Sequence, residues 1–200
     1  MSTKRVVDVI ERKTAFDGHF RIDRYRLRHE LFAGGLGPEV IRELFERGHA
    51  AAILPYDPVT DAVVLIEQFR VGAYAYGSDP WLIEIIAGIL EPGEAPEQLC
   101  HREAQEEAGL TIDRLEPALR FFTSPGGSSE FVHTFVGRTD ATSAGGIHGL
   151  DHEGEDIRVL VMDFREAIDR LEAGDILFGP AAVTLQWLDR HRARLRAAWS

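Results

Sequence analysis

The stretch that most constrains this chain runs from Ala87 to Leu110 and reads A-G-I-L-E-P-G-E-A-P-E-Q-L-C-H-R-E-A-Q-E-E-A-G-L. Gly88 and the turn Glu91-Pro92-Gly93 cannot sit in a helix interior, Pro96 suits a first helical turn, and Gly109 is a natural stop. The spacing predicts a loop followed by a helix from about Ala95 to Ala108. On that helix Glu103 lies three residues from Glu106 and four from Glu107, which gathers three carboxylates on one face. Like charges there repel. Arg102 reaches Glu106 at the same spacing, but one arginine does not neutralise three carboxylates together with Glu94 in the loop. A hard divalent cation would, because magnesium takes oxygen ligands and keeps positions for water or phosphate. Ala95, Leu99, Cys100, Ala104 and Ala108 leave the helix a small or apolar face to pack on a sheet.

Glutamates on a helix most often form a solvated face, and these three alone would say little more. Their setting says more. Gly88 is followed after five residues by Glu94, then after seven by Arg102-Glu103, an aliphatic, any residue, Glu106-Glu107, any residue, Gly109 and an aliphatic. Seven fixed residues at a background of about 6% each make a chance match on the order of one in a billion per starting position. The pattern resembles the Nudix hydrolase signature with every fixed position filled.

The likeness continues outside it. Leu65-Ile66-Glu67-Gln68-Phe69-Arg70, Ser124-Pro125-Gly126-Gly127-Ser128-Ser129-Glu130, and Gly146 to Leu150 with Glu155 to Arg158 resemble the ADP-ribose pyrophosphatase branch of the Nudix superfamily, over nearly the whole chain. Pro125, fifteen positions after Leu110, matches the downstream proline of that branch. The resemblance implies an α+β Nudix fold, a mixed sheet sandwiched between helices, with a small N-terminal β-rich extension. It implies Mg2+, with Mn2+ as the other candidate cofactor, and a homodimer that exchanges N-terminal strands.

It also implies residue roles. Glu103, Glu106 and Glu107 match metal-binding carboxylates, and the main-chain carbonyl of Ala87 matches a loop ligand. Arg102 with Glu94 matches the pair that braces loop to helix. In the acidic loop Asp151-His152-Glu153-Gly154-Glu155-Asp156, Glu153 matches the general base and Glu155 a further metal or water ligand. Which of the two takes the proton stays open, since nearby carboxylates titrate as a coupled unit. Arg70 ends a strand, where an arginine commonly forms a surface ion pair. Beside a metal site its planar fork is better used on diphosphate. Arg42 matches an arginine brought from the partner subunit, and Glu130 a carboxylate on the ribose side. At the adenine position the family has Phe-Phe after the glycine, whereas here Gly18 is followed by His19-Phe20, making His19 the stacking residue and leaving base preference open.

The rest of the chain fits one domain with an appendage. Residues 1–47 read as two or three strands around the breaks Gly34-Gly35 and Gly37-Pro38, and 48–200 as the Nudix domain. Two or three strands alone are barely stable in water, so this first piece needs a partner surface. Ala50 to Pro55 and Ala62 to Phe69 predict a hairpin about Asp57-Pro58-Val59-Thr60-Asp61. Further strands are predicted at Trp81 to Ile86, Arg114 to Phe122, Phe131 to Val136 and Ile157 to Asp163, with helices at Glu166 to Ala173 and Pro180 to Ala197.

A formal charge of −11 speaks against a general nucleic-acid surface, so an anionic substrate must rely on metal and a few local arginines. Cys100, the only cysteine, allows no internal disulfide and reads as packing. His148 and His152 lack a second ligand pair at zinc spacing. No segment reaches the roughly 20 apolar residues of a membrane span, and the expected setting is the cytoplasm. The expected reaction is Mg-dependent hydrolysis of ADP-ribose to AMP and ribose 5-phosphate. The alternatives are hydrolysis of another nucleoside diphosphate sugar, such as GDP-mannose or ADP-glucose, and a non-catalytic sensor of ADP-ribose.

Overall fold

Along β4 (Ala50–Asp57) and β5 (Ala62–Phe69) nearly every side chain is buried, because the sheet they form is covered on both faces. The period-2 alternation of a strand sorts them. Ala51, Ile53, Val64 and Ile66 join one core cluster, while Ala52, Leu54, Tyr56, Val63 and Leu65 join the other. The computed structural model describes residues 5–150, 152 and 154–200. It divides into two compact units, one of Ala50–Phe121 with Val132–Ser200, the other of the residues up to His49 with Phe122–Phe131.

In the larger unit a mixed sheet runs in the order β10 (Ile147–His148), β11 (Ile157–Asp163), β5, β4, β9 (Phe131–Arg138), β8 (Arg114–Phe122). β4 and β9 are parallel, while β4–β5 and β5–β11 are antiparallel. β6 (Trp81–Glu84) pairs with β5 and β7 (Ile86–Ile89) with β4. The expected strand Trp81 to Ile86 is thus two strands, broken at Ile85 where the chain passes from one neighbour to the other. α2 (Pro96–Ala108) covers one face through Leu99, Cys100, Ala104 and Ala108. α3 (Phe164–Ala173) and α4 (Gly179–Trp199) cover the other through Phe164, Ala167, Ile168, Leu185 and Leu188. α1 (Val71–Tyr76), a short helix of six residues with no buried residue, has no counterpart in the sequence reading. Its Val, Gly and Tyr are poor helix formers, so propensity gave no signal. Among the described residues no helix is long and apolar enough to cross a membrane.

The smaller unit is an antiparallel sheet of β1 (Val7–Asp17), β2 (Arg21–His29) and β3 (Val40–Glu46). Phe45 N–H donates to Gly127 O at 2.8 Å, tying the 122–131 turn to this sheet. Its polar centre is Asp23, 1% exposed, which accepts from Arg12 Nε at 3.0 Å and Arg21 Nε at 3.1 Å.

Candidate active site

The helix that carries the carboxylates begins and ends where its punctuation demands. Ala95 N–H donates to Gln98 Oε1 at 3.1 Å at the start, and Gly109, at φ 63° in the left-handed region, closes the end. Its buried side holds it against β4 and β7, and this fixes where Glu103 and Glu107 emerge. Glu107 is 3% exposed and accepts the Ala87 N–H through Oε2 at 3.2 Å. Burial pushes its carboxyl well above the usual range, with the charges of Glu103 and Glu155 adding to the shift. The Ala87 N–H and Arg70 pull the other way and do not prevail. Glu103 is raised as well, first by burial, then by Glu106 and Glu155 against the opposing charge of Arg102.

Gly88 is required by close approach. A Cβ built there would lie 1.9 Å from Glu103 Oε1, so the carboxylate occupies the space any other residue would fill. The loop and the helix meet through this contact, through Ala87 to Glu107, and through Arg102. Arg102 donates by Nε to Glu94 Oε1 at 3.1 Å, and by Nη1 to Glu103 Oε1 at 2.9 Å and Glu106 Oε2 at 3.1 Å. Its hydrogen bonds hold the Glu94 carboxyl below its usual range.

Buried Glu107 and half-buried Glu103, both raised in pKa beside a backbone loop, are donors of the kind a hard divalent cation takes. Among the described residues no three His, Cys, Asp or Glu side chains converge as a ready-made metal cage. Such a donor set leaves coordination positions to water and substrate oxygens, which is how magnesium is usually held. Cys100 lies in the core cluster beneath α2, and burial pushes its thiol up, away from reactivity.

Glu155 is half-buried, accepts the Leu150 N–H at 3.0 Å, and adds its charge to both Glu103 and Glu107. Glu153 lies outside the described residues. Arg70 follows β5 and is paired through Nε and Nη2 with Glu84, at 2.9 and 2.8 Å. Within the smaller unit, His19 packs edge-on against Phe20 with ring centroids 4.5 Å apart, Arg47 lies over Phe20 at 5.5 Å, and Arg47 meets Glu130 at 3.3 Å. Two of the expected substrate residues, His19 and Glu130, are therefore joined through Phe20 and Arg47. Arg42 is exposed on β3 opposite Tyr25, and its Nη1 donates to Ile41 O at 2.8 Å.

The sequence reading did not single out Glu84 or Arg47. For Glu84 a signal existed, since it is the one charge in the apolar run Trp81 to Ile86.

A mixed sheet between helices, with this loop and helix against it, defines a class, and the NUDIX domain profile matches residues 46–181. The chain belongs to the NUDIX family. It is 50% identical over 197 residues to the ADP-ribose pyrophosphatase of Escherichia coli strain K12, covering 98% of this chain and 94% of that protein. It is 40% identical over 149 residues to the GDP-mannose pyrophosphatase of Enterobacter sp. strain 638, covering 74% of this chain and 76% of that one. A crystal structure of an ADP compounds hydrolase superposes with a TM-score of 0.69 at 20% identity, over 94% of this chain and 96% of that chain, a likeness of fold.

Proposed function

We propose that this protein hydrolyses ADP-ribose to AMP and ribose 5-phosphate. The observation that carries the chemistry is the pair of buried Glu107 and half-buried Glu103, both raised in pKa, with Arg102 shared by Glu103, Glu94 and Glu106. The substrate is supported by 50% identity over 98% of the chain to an ADP-ribose pyrophosphatase. Glu103, Glu106, Glu107, Glu155 and the carbonyl of Ala87 would hold Mg2+, or Mn2+ in its place. When bound, such a cation supplies charge stabilisation at the diphosphate and acidifies water. Glu153 or Glu155 takes the proton of the attacking water, whose oxygen forms a bond to one phosphorus as the bridging P–O bond breaks. Arg70 pairs with diphosphate oxygens, and Arg102 keeps the Glu94 loop on the helix. His19, Arg42 and Glu130 receive the nucleoside and ribose ends.

In this reading the protein is a homodimer, with residues 1–47 as the exchanged strand region and 48–200 as the Nudix domain. The exposed apolar side chains of β1, among them Val7, Val9 and Phe16, support a partner surface. A cytoplasmic setting belongs to the same reading. Likeness to a GDP-mannose pyrophosphatase favours, as a second reading, the same chemistry on another nucleoside diphosphate sugar.

The test is turnover of ADP-ribose beside ADP-glucose, GDP-mannose and NADH, with Mg2+ and with chelator, in oxygen-18 water. Metal-dependent AMP formation, fastest from ADP-ribose, is expected, and the labelled product identifies the attacked phosphorus. Faster turnover of another sugar nucleotide moves the assignment to the second reading, and binding without turnover overturns both. Light scattering after size exclusion should give twice the chain mass; a monomer would remove the exchanged strands.

A further inference from the structure

Glu84 is fully buried, at 0% exposure, at the end of the otherwise apolar strand β6. An ionised carboxylate there is costly unless it is paired and hydrogen-bonded. Its partner is fixed by sheet register. β5 and β6 run antiparallel with Ile66 opposite Glu84 and Phe69 opposite Trp81, and Arg70 N–H donates to Pro80 O at 2.8 Å. The Arg70 backbone is thereby pinned about 13 Å up the sheet from Glu84, four residues along at about 3.3 Å per residue. Its side chain turns back along the strand to meet Glu84 as a two-pronged fork, Nε to Oε1 and Nη2 to Oε2. Gln68 shares that stretch of β5, yet its Nε2 is buried and makes no hydrogen bond, so it gives Glu84 no support.

The pair is on the same side of the sheet as α2. Ile66 belongs to the cluster beneath that helix, and Glu84, directly opposite it, projects from the same face. Burial works against the Arg70 charge, but the Glu84 hydrogen bonds and the charges of Glu84, Glu107 and Glu155 outweigh it and raise its proton affinity. Arg70 thus lies within electrostatic reach of carboxylates of the active site while its fork is held elsewhere.

We infer that Glu84 is a positioning residue for the reaction: it fixes the plane of the Arg70 guanidinium, holds it back from Glu107 and Glu155, and leaves the Nη1 edge for a diphosphate oxygen. This rests on the reading of Arg70 as a diphosphate-binding residue. A guanidinium released from Glu84 has the acidic cluster as its nearest alternative, and an arginine folded onto those carboxylates binds neither diphosphate nor any other anion.

The experiment is a double-mutant cycle on Arg70 and Glu84, read in KM and kcat for ADP-ribose. Glu84→Gln keeps the shape, removes the charge and one arm of the fork, and is expected to raise KM about tenfold with a much smaller change in kcat. Glu84→Asp keeps the charge in a shorter reach; it guards against poor folding of the glutamine variant and should raise KM by a lesser factor. In an Arg70→Ala background, Glu84→Gln should leave kcat and KM unchanged while raising the melting temperature, because the alanine strands a buried charge that glutamine removes. If Glu84→Gln or Glu84→Asp folds normally with wild-type KM, or if the two changes multiply in kcat/KM, Glu84 is structural only and the inference is overturned. If Arg70→Ala itself leaves KM unchanged, the diphosphate reading of Arg70 is what has failed.

Discussion

Asp23 in the smaller unit and Glu107 in the larger are both almost sealed from solvent, at 1% and 3% exposure, yet their surroundings push them in opposite directions. Asp23 accepts from Arg12, from Arg21 and from the Thr14 hydroxyl, and the Arg12 hydrogen bonds above all hold its carboxyl below the usual range. Glu107 receives one backbone N–H, and burial above all, then the charge of Glu103, pushes its carboxyl up. One buried charge is completed by the protein; the other is left incomplete. The smaller unit supplies three partners to its buried carboxylate, whereas α2 carries one with far fewer, which is the contrast that the proposed metal site rests on.

The comparison is sharpened most by removing the incomplete charge. Glu107→Gln should lower kcat by about a thousandfold or more while the circular dichroism spectrum and melting temperature stay at or above wild type, since the loss is of electrostatic stabilisation rather than packing. Full activity in this variant breaks the metal assignment. Gly88→Ala tests the same site from the loop. Its Cβ would collide with Glu103 Oε1, so the carboxylate must move, and kcat should fall by about ten- to a hundredfold with far less effect on unfolding by urea.

A third outcome concerns pH. The raised Glu103 and Glu107 carboxyls mean the native state binds more protons than the unfolded one. Their contribution is fully present below the ordinary carboxylate pKa of about 4.3 and lost as pH rises through the raised native values. Without metal, melting temperature should therefore slope downward above that pH, and saturating Mg2+ should flatten the slope. A metal-free profile that is already flat would show Glu107 to be as well compensated as Asp23. The smallest effect on catalysis belongs to Asp23→Asn, which should lower the melting temperature by several degrees with kcat nearly unchanged. Because the Asp23 pKa is lowered, its contribution is present above the ordinary aspartate value and lost as pH falls, so this variant should also show a weaker acid-side loss of stability.

Much of this was legible in the sequence. The helix expected from Ala95 to Ala108 is Pro96–Ala108, and Ala62 to Phe69 is β5 at the same bounds, because proline and glycine punctuate the one and an apolar run after the Asp57 to Asp61 turn marks the other. β4 runs two residues beyond its expected end and α4 reaches Trp199, as pairing and packing extend elements past the point where propensity fades. Asp23 was not legible as a buried charge, and Glu84, though the one charge in an apolar run, gave no sign of its partner. Each depends on partners from another strand, Arg70 fourteen residues away for one and Arg12 eleven away for the other.

What the sequence by itself determined is the loop, the helix and the row of carboxylates on it. All are set by spacing within one local element whose geometry repeats every 3.6 residues. Only the tertiary structure decided which carboxylates are raised by burial and which are satisfied by counter-charge. Burial and counter-charge come from strands and turns distant along the chain, and no local spacing encodes them.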